Sequence, residues 1–137
     1  MQVRTVLLAA LLALPSVAQA SDVHRQVTQS ARAHGVPPAL AHGVVRAESG
    51  YRCTARNRHS SAKGLMQVLD KTAHGVGVRG NRLHCATGLE AGMRYLRQAY
   101  RIAHGNWCQA ATLFNRGTGA ARTCSGYGRR VLALARL

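Results

Sequence analysis

Apolar residues recur along this chain with a helical period. After Pro37-Pro38, prolines suited to a first helical turn, Leu40, Val44 and Glu48 fall at i, i+4 and i+8, so a carboxylate continues an aliphatic stripe. Ser49-Gly50 then end that pattern. The same reading predicts helices over 22–33, 37–49, 64–74, 88–103, 107–115 and 127–135, joined by glycine-containing turns. No run sustains the period-two alternation of a half-buried strand, so the expected fold class is all-α. Tyr51 to Lys63 is polar and basic without an apolar period and reads as a loop, as does Gly75 to Asn81. Ala-His-Gly recurs from residues 33, 41, 73 and 103. Three of these triplets end helical patterns, where histidine suits the dipole and glycine the cap, so the recurrence is capping and not a repeat architecture.

Residues 1–20 carry a different pattern. Arg4, the apolar run Val6 to Leu14 and the small-x-small end Ala18-Gln19-Ala20 spell a secretory signal peptide. The expected mature chain, 21–137, is long enough for one domain with one core. No later apolar stretch approaches the roughly 20 residues that span a bilayer. The first cysteine lies well past the cleavage site, so no lipid is attached at a mature N-terminal cysteine. An exported product is expected.

The full chain has 19 Lys and Arg against four Asp and Glu, a formal net charge of +15. Such a protein associates with polyanions. The arginines are scattered and there is one Trp and one Phe, so the aromatic platforms of single-strand binders are lacking and nucleic acid is disfavoured as a partner. Cys53, Cys85, Cys108 and Cys124 all follow the signal, and an even count in an oxidising compartment argues for two disulfides. Three connectivities exist; Cys53 with Cys85 and Cys108 with Cys124 is favoured, because the second pair staples a short loop after a helix. There is no C-x-x-C, and the seven histidines show no H-x-x-x-H spacing, so neither a metal nor another cofactor is expected.

The four acids differ in what explains them. Asp22 and Asp70 each precede a helical pattern and read as caps, and Glu90, three residues after Thr87, spells a capping box. Glu48 has no such local role. At the end of an apolar helix face it emerges at the edge of the core, where desolvation raises a carboxyl pKa and the protein's positive charge lowers it. A raised value suits a general acid. The bland alternative turns Glu48 outward onto Arg46 or Arg52.

Glu48-Ser49-Gly50-Tyr51, Gly64-Leu65-Met66-Gln67, Phe114-Asn115-Arg116-Gly117, and Tyr127 with Val131 four residues on resemble, in order, the motifs of soluble lytic transglycosylases. Gly92 and Tyr95-Leu96 also suit that family. The resemblance covers roughly residues 35 to 135 and implies a single lysozyme-like domain with a substrate groove. It implies cleavage of the β-1,4 bond between N-acetylmuramic acid and N-acetylglucosamine in peptidoglycan, with 1,6-anhydro ring closure. That chemistry uses one carboxylate as acid and then base, whereas most glycoside hydrolases need two.

Carried over residue by residue, the resemblance makes Glu48 catalytic. Ser49, Met66, Gln67, Asn115 and Tyr127 become substrate-site residues: Met66 and Gln67 hold the sugar bearing the acetamido group, Asn115 binds near the reacting centre, and Tyr127 aims its hydroxyl at Glu48. Ser49 steadies the turn. Phe114 stands where the family often has tyrosine. Arg58 stands where it commonly has a serine, a part Ser60 or Ser61 would take if the loop shifts register. The family also implies a periplasmic location and work beside a secretion, conjugation or pilus complex, with Arg129 and Arg130 as a contact or, more simply, a solvated helix face. Two other functions fit the same residues: a lysozyme-type hydrolase, with Asp70 or Glu90 across the cleft, and a non-catalytic module that binds peptidoglycan or another polyanion.

Overall fold

The computed structural model describes residues 16–136 and contains six helices: α1 (Ser16–Ala33), α2 (Pro38–Glu48), α3 (Asp70–Gly75), α4 (Cys85–Ile102), α5 (Trp107–Arg116) and α6 (Gly126–Ala135). Among the described residues there is no strand; Lys63 makes isolated bridges to Arg56 and Val68. The all-α expectation is met. Most of the predicted signal peptide lies outside the described residues. α1 begins at Ser16, six residues before the expected start, and runs without a break through the Ala20–Ser21 junction. No helix of the described residues is long and apolar enough to cross a membrane.

The core gathers Val27 of α1, Leu40, Val44 and Val45 of α2, Met93 and Leu96 of α4, Leu113 of α5 and Val131 of α6, each with essentially no exposed surface. α2 packs chiefly on α6. Gly43 makes that approach possible, because a Cβ there would sit 2.6 Å from the Val131 carbonyl oxygen. This is the Ala-His-Gly triplet that lies inside a helix; the other three sit at helix ends.

One helix expectation fails. Residues 64–69 are not helical, and α3 is only six residues long. Gly64 (φ +85°) and Gln67 (φ 49°) lie in the left-handed region, which a right-handed helix excludes. Leu65, Met66 and Val68 are buried all the same, so the apolar spacing reflected core packing and not a helical face.

The acids also depart from their expected capping roles. α4 starts at Cys85, three residues early, with His84 as N-cap. Thr87 and Glu90 are therefore no capping box; Glu90 lies in the second turn, accepts from Arg94 Nε at 2.6 Å and faces His34 Nε2 at 3.4 Å. None of Cys85, Ala86 and Thr87 is buried, so the apolar period could not mark that start. Asp70 is the first residue of α3 and turns its carboxylate to Arg82 and to Lys63, the latter at 3.4 Å. Asp22 lies inside α1 and bonds Arg25 and Gln26.

The disulfides are Cys53–Cys85 and Cys108–Cys124, the favoured pairing. The first ties the loop after α2 to the start of α4. The second ties α5 to the segment just before α6. Both flank the region that carries Glu48 and its neighbours.

Candidate active site

Glu48 is the last residue of α2 and Ser49 its C-cap. Ending the helix here brings the carboxylate to the edge of the α2–α6 contact while its backbone stays held by that packing. A cavity of about 300 Å³ opens beside it, lined by Glu48, Gln67, Val68, Leu69, Lys71, Thr72, Tyr95, Phe114, Asn115, Arg116 and Gly117. Four chain segments thus build one groove: the end of α2, the 67–72 segment, α4 and the end of α5.

Tyr127, in the first turn of α6, donates its hydroxyl to Glu48 Oε1. Ser125 sets the start of α6 by accepting from Gly128 N at 3.2 Å, an N-cap that leaves Tyr127 facing α2. Burial pushes the Glu48 carboxyl above its ordinary value, and the Tyr127 bond and the Arg130 charge only partly offset this. Of the two opposing influences read from the sequence, desolvation wins. Burial and the Glu48 charge likewise push the Tyr127 hydroxyl far above its usual range, so it remains a donor at any working pH. Arg130 lies over the Tyr127 ring, 5.6 Å from its centroid. It is thus part of the Glu48 surroundings and not only a solvated helix face.

Glu48 is not paired with Arg46 or Arg52. Arg46 Nη1 donates to the Leu134 carbonyl at 2.7 Å and lies over Tyr51, and Arg52 Nε donates to the Ser49 carbonyl at 2.9 Å.

Not every expected substrate contact lines the groove. Ser49 is buried and spends its hydroxyl on the Leu65 carbonyl oxygen at 2.7 Å. Met66 has no exposed surface and packs against Gly92, where a Cβ would be driven into the methionine side chain. Neither side chain lines this cavity; both are packed into the core behind the loop. Gln67 does line the groove, its Nε2 donating to Ala55 O at 3.1 Å and Gly64 O at 2.9 Å. Asn115 is exposed on the groove wall in the last turn of α5, with Gly117 taking the C-cap.

Phe114 keeps its ring against Tyr95, with centroids 5.5 Å apart. Tyr95 also accepts from Thr118 N at 3.2 Å, bracing the turn after α5. Arg58, Ser60 and Ser61 do not line the groove. Ser61 accepts from Asp70 N at 3.0 Å and Ser60 from Ala62 N at 3.3 Å, so neither serine supports Glu48.

Leu69, Lys71, Thr72 and Arg116 line the groove without a role implied by the motifs, and Tyr95, one of the family positions, lines it too. Arg116 lies inside a motif but was not given a role, and Leu69, Lys71 and Thr72 follow another by two to five positions. Their proximity to a motif was the available signal.

Among the described residues no second carboxylate lines this groove. Asp70 is held by Arg82 and Lys63, and Glu90 borders a separate cavity with His34 and Arg94. A lone protonatable carboxylate, desolvated and braced by a tyrosine, stands in a groove with aromatic and amide walls. The model of the transglycosylase SLT domain matches residues 25–131, and the chain belongs to this lysozyme-like family of lytic transglycosylases acting on peptidoglycan.

Proposed function

We propose that the protein cleaves the β-1,4 bond between N-acetylmuramic acid and N-acetylglucosamine, with Glu48 as the single acid and base. The observation that carries this reading is the solitary Glu48 carboxyl, raised by burial and bonded by Tyr127. Because Tyr127 donates to Oε1, the proton resides on Oε2, and that oxygen delivers it to the glycosidic oxygen as the bond to muramic acid C1 breaks. The substrate's own acetamido oxygen takes up C1, which supplies what a second carboxylate supplies in most glycosidases. Glu48, now a carboxylate, removes the proton from the C6 hydroxyl. O6 bonds C1, the acetamido group is released, and a 1,6-anhydro product leaves with Glu48 protonated again.

Gln67 and Asn115 bind the sugars at the reacting centre, while Ser49 and Met66 support the loop from behind. The signal peptide exports the chain to the periplasm, where the two disulfides form. The net positive charge holds the enzyme to the anionic wall. Its cellular task is local opening of the wall for a secretion, conjugation or pilus system, a role that the family resemblance supports.

The deciding experiment digests purified peptidoglycan with the mature oxidised protein and with Glu48→Gln, and identifies products by mass spectrometry. Anhydromuropeptides from the wild type and none from the variant are expected. Reducing ends would make the enzyme a hydrolase. Binding without cleavage by folded protein would make it a binding module.

A further inference from the structure

The groove carries two cations that no acidic side chain among the described residues pairs with. Lys71, in the first turn of α3, and Arg116, the last residue of α5, both line the cavity beside Glu48 and both are exposed. All four acidic side chains are engaged by other groups: Asp22 by Arg25, Asp70 by Arg82 and Lys63, Glu90 by Arg94 and His34, and Glu48 by Tyr127. Arg116 at a helix C-terminus suits the dipole, but Lys71 stands at a helix N-terminus, where a cation is disfavoured. Leu69, the exposed large hydrophobic residue among those described, lines the same cavity at 38% exposure. An apolar and cationic wall does not match the sugar rings of peptidoglycan, which are uncharged. It matches what hangs from them, a lactyl arm that ends in a carboxylate or in a peptide with methyl side chains and carboxylates.

Resting on the function just proposed, we propose that Lys71 and Arg116 form a carboxylate-binding wall of the groove that takes the carboxylates borne on the muramic acid's lactyl arm. The wall selects strands by what the arm carries while Glu48 acts on the glycan. Exposed charge pairs contribute little each, so the two together set a preference and not an absolute requirement. The preference weakens as salt screens it.

The test uses the Glu48→Gln protein, which binds strands without consuming them, and fluorescence anisotropy of three labelled probes. These are soluble glycan strands with native stem peptides, the same strands with every carboxyl converted to an amide, and strands stripped of peptide that keep the free lactate. Native strands are expected to bind about three- to tenfold more tightly than amidated ones. Lys71→Ala with Arg116→Ala removes that difference, and Lys71→Arg with Arg116→Lys keeps it. Stripped strands that bind like native ones show that the wall takes the free lactate carboxylate as well as the peptide's, and stripped strands that bind like amidated ones assign it to the peptide alone; either supports the inference. Equal binding of native and amidated strands, or an undiminished preference in the folded alanine variant, overturns it. Wild-type protein run in parallel on peptidoglycan separates the two readings. Anhydromuropeptides with no carboxylate preference would sink the wall alone, and a carboxylate preference without them would sink the reaction alone.

Discussion

Ser49 Oγ donates to the Leu65 carbonyl oxygen over 2.7 Å, so the residue directly after Glu48 is tied to the loop that carries Gln67. The two are 16 residues apart in sequence. The bond sets the distance between the acid at the end of α2 and the groove wall opposite, and it does so from inside the core.

Ser49→Ala would leave the buried Leu65 carbonyl without this partner. A loss of about 1–3 kcal/mol in stability is expected, measured by denaturant unfolding. kcat/KM on peptidoglycan should fall as well, because Glu48 and Gln67 lose their common anchor. Unchanged kinetics in a destabilised variant would limit Ser49 to a folding role.

Tyr127→Phe removes the hydroxyl bond that favours the Glu48 carboxylate. The Glu48 pKa therefore rises further, and the alkaline limb of the pH–rate profile, where the acid form is lost, moves to higher pH. A fall in kcat of about tenfold is expected from the loosened carboxyl. A limb that stays in place would show that Tyr127 does not act on Glu48.

Glu48→Gln should make the protein more stable at neutral and alkaline pH. The folded carboxyl titrates above its unfolded value, so its stability contribution is complete below the unfolded value and is lost as pH rises through the folded one. The neutral amide escapes that loss. Thermal unfolding of both proteins across pH should show their midpoints converging toward acid and separating above; a constant gap would refute the burial argument.

Gly92→Ala substitutes a better helix former in α4, yet should destabilise the protein by about 1–3 kcal/mol. The added Cβ meets Met66, which is fully buried and cannot swing away into solvent. Thermal unfolding measures this, and a rise in midpoint would show that the G-L-M-Q loop gives way easily. Gly75→Ala, at an exposed position with open space around the added carbon, is the control.

Cys108→Ala with Cys124→Ala should cost about 2–4 kcal/mol. The bridge ends just before α6, three residues from Tyr127, so kcat should also fall as α6 loses its hold. Equal stability of this variant and the wild type under oxidising conditions would count against the bridge as a support.

The helices were legible because burial against a core leaves a 3.6-residue period, and α2, α4, α5 and α6 were read to within about three residues of their ends. The failure at 64–69 has the same root. Leu65, Met66 and Val68 are apolar because they enter the core, and a period reports burial, not the conformation that achieves it. Left-handed Gly64 and Gln67 break the helix there, and a non-glycine residue in that region leaves no mark in composition.

The sequence by itself determined the all-α class, the presence of two disulfides with one pairing favoured among three, and Glu48 as the acid without a local partner. Those follow from local chemistry: periodicity, cysteine count, and the helix end at Ser49-Gly50. Only the tertiary structure decided that burial outweighs the positive charge at Glu48, that Tyr127 and Arg130 on α6 act on it, and that Asp70 and Glu90 stand outside the groove. It also decided that Ser49 and Met66 lie buried behind the groove wall while Lys71 and Arg116 are exposed in its lining. Desolvation, charge proximity and the side of a wall on which a residue lies depend on segments 20 to 80 residues apart coming together, and no local pattern encodes that meeting.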